Sequence, residues 1–123
     1  MMRKSLVSLL GCASLVIAPL AFSEEVDHFE GQSAETLQQA VSNFKEYNQK
    51  LDKILGGDLT PEDMNNVHQL TYTLENALGK INEEFDALAE TLETIHLASE
   101  RADSDAVKTN GEKYLSVSRE VIK

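Results

Sequence analysis

Three histidines, one cysteine and a surplus of carboxylates are the residues of this chain with the widest chemical range. Glu93-Thr94-Ile95-His96 places a carboxylate and an imidazole three positions apart, the spacing by which di-iron helical bundles point two metal ligands inward. Such centres use the motif twice and add further carboxylates. The second instance here, Glu25-Val26-Asp27-His28, falls in an acidic stretch without periodicity. Acids fill about a sixth of the chain, so chance supplies about half such a spacing among three histidines, and the two found are a weak signal. His96 is equally placed to pair with Glu93 or Glu100 on a solvated helix face. The run Glu24–His28 offers acids and one imidazole for loose divalent-metal binding, or an ordinary solvated tail.

Haem is the sharper cofactor candidate, because b-type haem is held by side chains such as Met and His without any cysteine. Met64 and His96 form the candidate axial pair. On one continuous helix they stand about 48 Å apart at 1.5 Å per residue. A reversal at Gly79-Lys80 would bring them level, since Met64 lies fifteen residues before Gly79 and His96 seventeen after it. Against this, two helices need a connection of about 2–5 residues, and the apolar spacing from Leu78 to Ile81 leaves no slack for one. No serine or threonine has the context of a nucleophile, no glycine-rich phosphate loop follows a strand, and no catalytic residue is assigned.

Three helices are expected to position these groups, giving an all-α, bundle-like fold. Leu37, Ala40, Val41, Phe44, Tyr47, Leu51, Ile54 and Leu55 recur at steps of three and four. They predict a helix over about 33–55, capped by Ser33 and ended by Gly56-Gly57, where glycine suits a left-handed turn. Thr60-Pro61-Glu62-Asp63 combines a cap, a proline at the first helical position and acids at the positive helix end. The helix it starts, over about 60–99, carries Met64, Val67, Thr71, Leu74, Leu78, Ile81, Phe85, Leu88, Leu92 and Ile95. From Thr71 on, those steps alternate three and four, which is a coiled-coil heptad seam. It passes through Gly79, whose cost of about 1 kcal/mol against alanine such a seam can absorb. Asp103 and Ser104 predict a third helix over about 104–122, weakened by Asn110 and Gly111.

The outer helices together match the length of the middle one, so each is expected to fold back on one half of it. Two helical layers bury little apolar surface against the entropy of ordering the chain. The face left over would be covered by a second copy in an antiparallel dimer with Gly79 near the two-fold axis, or by sideways overlap of the outer helices. Asn48 and Asn110 beside the apolar stripes, and Tyr72, Thr73 and Asn76 off the seam, are expected either to face a partner or to line a solvent face.

The N-terminus has the pattern of a cleavable secretory signal over residues 1–23. Arg3 and Lys4 are followed by an apolar run from Leu6 to Ala18, then Pro19 and the small residues of Ala21-Phe22-Ser23, with cleavage between Ser23 and Glu24. The run is shorter than the roughly 20 residues of a membrane-spanning helix, so no span is expected in the mature form. Leu9-Leu10-Gly11-Cys12 has the look of a lipobox, but lipidation at Cys12 would leave Ala13–Phe22, still apolar, where a polar tether belongs. Cleavage removes two of the eleven bases and none of the 21 acids, taking the formal net charge from −10 to −12. A chain so acidic is a poor nucleic-acid binder. Cleavage also removes the single cysteine, and with it thiol nucleophiles, C-x-x-C redox chemistry and cysteine-ligated clusters. Residues 24–32 are expected as a flexible acidic tail and 33–123 as one helical domain, exported to the periplasm.

His28-Phe29-Glu30-Gly31, Leu70–Leu78 (LTYTLENAL), His96–Glu100 (HLASE) and Tyr114-Leu115 give the chain its family likeness. On these strings, which span most of the mature chain, it resembles a family of short exported helical proteins of Gram-negative bacteria, known only as a domain of unknown function. The resemblance implies a periplasmic helical protein and transfers no catalytic residue. The expected function is a non-catalytic binding or assembly module acting through the long-helix seam, with a second copy or another protein as partner. The alternative is a b-haem or metal-binding electron-transfer protein using Met64 and His96.

Overall fold

The structure is a computed structural model and describes residues 29–123. The expected signal segment with Cys12, the Ser23–Glu24 cleavage position and the tail as far as His28 lie outside the described residues. Three helices make the all-α fold: α1 (Leu37–Leu55), α2 (Pro61–Glu100) and α3 (Ser104–Val121). Among the described residues there is no strand, and no helix is long and apolar enough to cross a membrane.

The helix boundaries follow from which side chains satisfy the free backbone groups at each end. α1 starts at Leu37 and not near Ser33, because Thr36 is its cap and accepts from the Gln39 N–H at 3.2 Å. Gln39 reaches back to accept from the Glu35 N–H at 3.0 Å. Gly56 closes α1 in ordinary right-handed geometry, φ −73° and ψ −10°, so the left-handed turn expected there is not used. α2 opens on a reciprocal box: Asp63 N–H donates to the Thr60 hydroxyl at 3.2 Å, and Thr60 N–H donates to the Asp63 carboxylate at 3.0 Å. That hydroxyl also donates to the carboxylate at 2.7 Å and holds the Asp63 pKa below its ordinary value.

α2 then runs unbroken through Gly79 to Glu100. The reversal at Gly79-Lys80 that a Met64/His96 haem pair requires is therefore not made, since the helical hydrogen-bond ladder continues across it. The left-handed residue appears instead at the other turn. Ala102 has φ 52°. Its N–H donates to Ser99 O at 3.1 Å, and Asp103 N–H donates to Ala98 O at 3.0 Å, the two bonds of a Schellman motif with alanine at the glycine position. Asp103 then caps α3 by accepting from Ala106 N–H at 3.1 Å.

α1 packs antiparallel on the first half of α2 and α3 folds back on the second half, with little contact between α1 and α3. The core is centred under α1, where Ala40, Ala77 and Ile81 are buried and Leu37, Val41 and Phe44 pack against them. Residues 29–32 of the segment expected as a tail lie against α2. Gln32 N–H donates to the Thr73 hydroxyl at 3.0 Å. The Asn76 side-chain amide donates to Glu30 O and Gln32 O, both at 3.0 Å. Phe29 meets the Tyr72 ring edge-on with centroids 6.0 Å apart. Gly31 adopts φ +71°, and a β-carbon there would lie 2.7 Å from the Thr73 backbone nitrogen. This strap therefore needs glycine for both its backbone angle and its close approach.

Candidate functional site

The ionisable and ligand-bearing side chains are spread along α2. Met64 sits one turn from the N-terminus of α2, and His96 one turn from its C-terminus, so within one chain the two are about 48 Å apart. His96 Nε2 lies 3.2 Å from Glu100 and is solvent-exposed. Its near neighbour is thus Glu100, four residues on, where a bundle ligand pair would use Glu93. Among the described residues no group of three or more His, Cys, Asp or Glu could hold a metal ion. His68 stacks edge-on against Tyr72, with the Tyr72 hydroxyl 3.5 Å from His68 Nε2.

The three off-seam residues expected to face a partner or solvent do something else. Thr73 is only 1% exposed and accepts from the strap, while Asn76 and Tyr72 bind the strap's carbonyls and ring. Asn110 donates to Ala106 O at 2.8 Å, within its own helix.

The heptad seam divides into two rows. Leu74, Ile81 and Leu88 are buried, with Val67 and Ile95 half-buried in the same row. The other row stays outside: Met64 is 56% exposed, Leu78 42%, Phe85 38% and Leu92 48%, with half-buried Thr71 between Met64 and Leu78. The reason is that α1 and α3 do not sit over the middle of the seam. They sit to one side of it, over Leu70, Thr73, Ala77 and Ala98, all buried. Alanines and a threonine let the helices approach closely there. These four residues lie off the alternating three-four pattern, and only the small side chains at Ala77 and Ala98 mark them in the sequence.

The exposed row runs about 42 Å from Met64 to Leu92 along a straight element. Beside it on the outer face of α2 stand Glu75, Asp86 and Glu93. Lys80 is drawn to Glu84 at 2.9 Å and Glu83 at 3.4 Å, and its pKa is raised chiefly by the hydrogen bond to Glu84. A second feature is a cleft of about 610 Å³ between the end of α1 and the start of α2, lined by Phe29, Tyr47, Lys50, Ile54 and Leu70 among others. Lys50 is already engaged there, 2.7 Å from Glu46 and 4.0 Å from the Tyr47 ring centroid. Its raised pKa comes first from the hydrogen bond to Glu46. What the row offers is a rigid apolar contact line with an acidic edge.

No curated protein and no solved structure matches the chain. A family model does, over residues 1–123. The helical domain with its strap, its capped rod and its uncovered row belongs, with the rest of the chain, to the family of unknown function DUF6746.

Proposed function

We propose that this chain is an exported acidic helical module that works by binding a protein surface and not by catalysis. The observation that carries this reading is the row Met64, Leu78, Phe85 and Leu92, uncovered along an unbroken helix. Exposed apolar side chains aligned on one face of a helix support an interaction surface. A rod 40 residues long holds that row straight without help from the partner, so binding costs little ordering entropy. Export to the periplasm is part of this reading and is supported by the N-terminal pattern Arg3-Lys4, Leu6–Ala18 and Ala21–Ser23.

A photo-crosslinking residue at position 85, in the cell that makes the protein, tests the reading. Position 90, on the opposite side of α2, is the control. The expected result is a protein crosslink from position 85 and none from 90. No crosslink from 85 would sink the proposal. A visible spectrum of the same protein purified with haem available tests the electron-transfer alternative, since a Soret band lost on Met64→Ala would replace this reading with haem binding.

A further inference from the structure

We infer that Asn110-Gly111 is a self-modifying site, at which α3 loses the Asn110 amide by deamidation and is thereby held open. The inference rests on α3 alone and is independent of what binds the exposed row. Asn110-Gly111 is the one Asn-Gly step in the chain. Glycine has no β-carbon to keep its main-chain nitrogen away from the side chain before it. After losing its proton to base, the Gly111 nitrogen can attack Asn110 Cγ. The Cγ–Nδ2 bond breaks, ammonia leaves with the returned proton, and a five-membered imide forms. Water then opens the ring at either carbonyl, giving aspartate or, with the main chain rerouted through Cγ, isoaspartate. Water enters and ammonia leaves, so no other reactant is consumed.

The fold controls when this happens. Both residues are half-buried in the middle of α3. Asn110 Nδ2 donates to Ala106 O at 2.8 Å, and the helical ladder directs Gly111 N–H at the carbonyl four residues back. Ring closure requires both bonds to be given up and Asn110 to leave its helical ψ. The reaction therefore waits for α3 to open. α3 is the helix least able to resist opening, since none of its residues is buried and the chain enters it from left-handed Ala102. Weakly packed segments of this kind open locally without global unfolding. The product then favours the open form. Isoaspartate adds a main-chain atom, so helical spacing cannot be restored across it. Either product also loses the amide donor and puts a carboxylate in the groove that Asn110 shares with Glu84, Glu90 and Lys113.

Ageing the purified chain at neutral pH and physiological temperature, followed by brief digestion with trypsin, tests the inference. Cleavage after Lys108 and Lys113 isolates the segment 109–113, in which mass spectrometry reads the amide-to-acid mass gain and the two isomeric products. Two variants leave the reacting pair intact and move only the opening of α3. Asp103→Ala removes the α3 cap and should speed deamidation about fivefold. Ala102→Gly relieves the left-handed alanine and should slow it about fivefold. The rate should rise with pH, and aged protein should lose hydrogen-exchange protection across α3 while keeping it around Thr73. An unchanged segment 109–113 in aged protein would overturn the site, as would a mass gain at Asn76 or Asn82 as fast as at Asn110. Rates unchanged in both variants would overturn its control by α3. Full α3 protection in the deamidated chain would overturn the held-open product.

Discussion

The two halves of α2 are covered differently although each has one helix packed on it. Over the first half, Leu70, Thr73, Leu74, Ala77 and Ile81 are buried, Ala77 and Ile81 in one cluster with α1, and the strap adds hydrogen bonds from Gln32 and to Glu30 and Gln32. Over the second half only Leu88 and Ala98 are buried, and no residue of α3 is. The difference comes from the third layer. A helix on a helix buries one stripe, and the strap closes the side that α1 leaves open. α3 has no such companion, and its Asn110 and Gly111 contribute no apolar side chain to the contact. Stability should therefore be graded along the molecule, with α3 opening more easily than the α1 end.

Truncating one leucine on each side tests that grading most severely. Leu74→Ala should destabilise by about 3 kcal/mol and Leu88→Ala by about 2 kcal/mol in chemical denaturation, the gap arising because the looser α3 side can collapse onto the vacancy. Equal costs would remove the distinction between the halves. Gly31→Ala probes the strap alone. The left-handed angle and the close approach to Thr73 should cost about 2 kcal/mol, and hydrogen exchange should show lost protection around Thr73 and Asn76 with α3 unchanged.

Two substitutions should narrow the gap by strengthening the weak end. Gly111→Ala removes a half-buried helical glycine with nothing within 4 Å of where its β-carbon would be. Ala102→Gly relieves the left-handed alanine at φ 52°. Each should raise stability by about 1 kcal/mol, seen as a higher thermal midpoint. An effect of similar size lies at the α2 start. Thr60→Ala should cost about 1 kcal/mol at neutral pH. Because the Thr60 contacts lower the Asp63 pKa, they favour the ionised carboxylate. Their contribution is complete above its ordinary value of 3.8 and is lost as pH falls through the lower folded value. The difference between Thr60→Ala and the parent protein should shrink in acid.

Much of this comparison is legible in the residues, and the unreadable part has a specific cause. Thr60-Pro61-Glu62-Asp63 announces the start of α2 because every group in the cap is local in sequence. The unbroken passage through Gly79 follows from apolar steps that admit no turn. The strap is not legible, because its partners Thr73 and Asn76 lie more than forty residues from Gln32 and Glu30. Gly31 is its one local trace. The left-handed residue at Ala102 was equally hidden, since alanine there works against the local preference and is held by the two helices it joins. Of the candidate site, the seam's residues were visible, but not which row would be covered.

Sequence by itself determined the acidic charge, three helices and their order, because these depend on composition and on groups within one helical turn of each other. Tertiary structure alone decided that α1 and α3 pack to one side of the seam, over Ala77 and Ala98. A helix presents several usable stripes. Which one is buried depends on how closely two backbones can approach, and that distance is set by small side chains outside the apolar pattern.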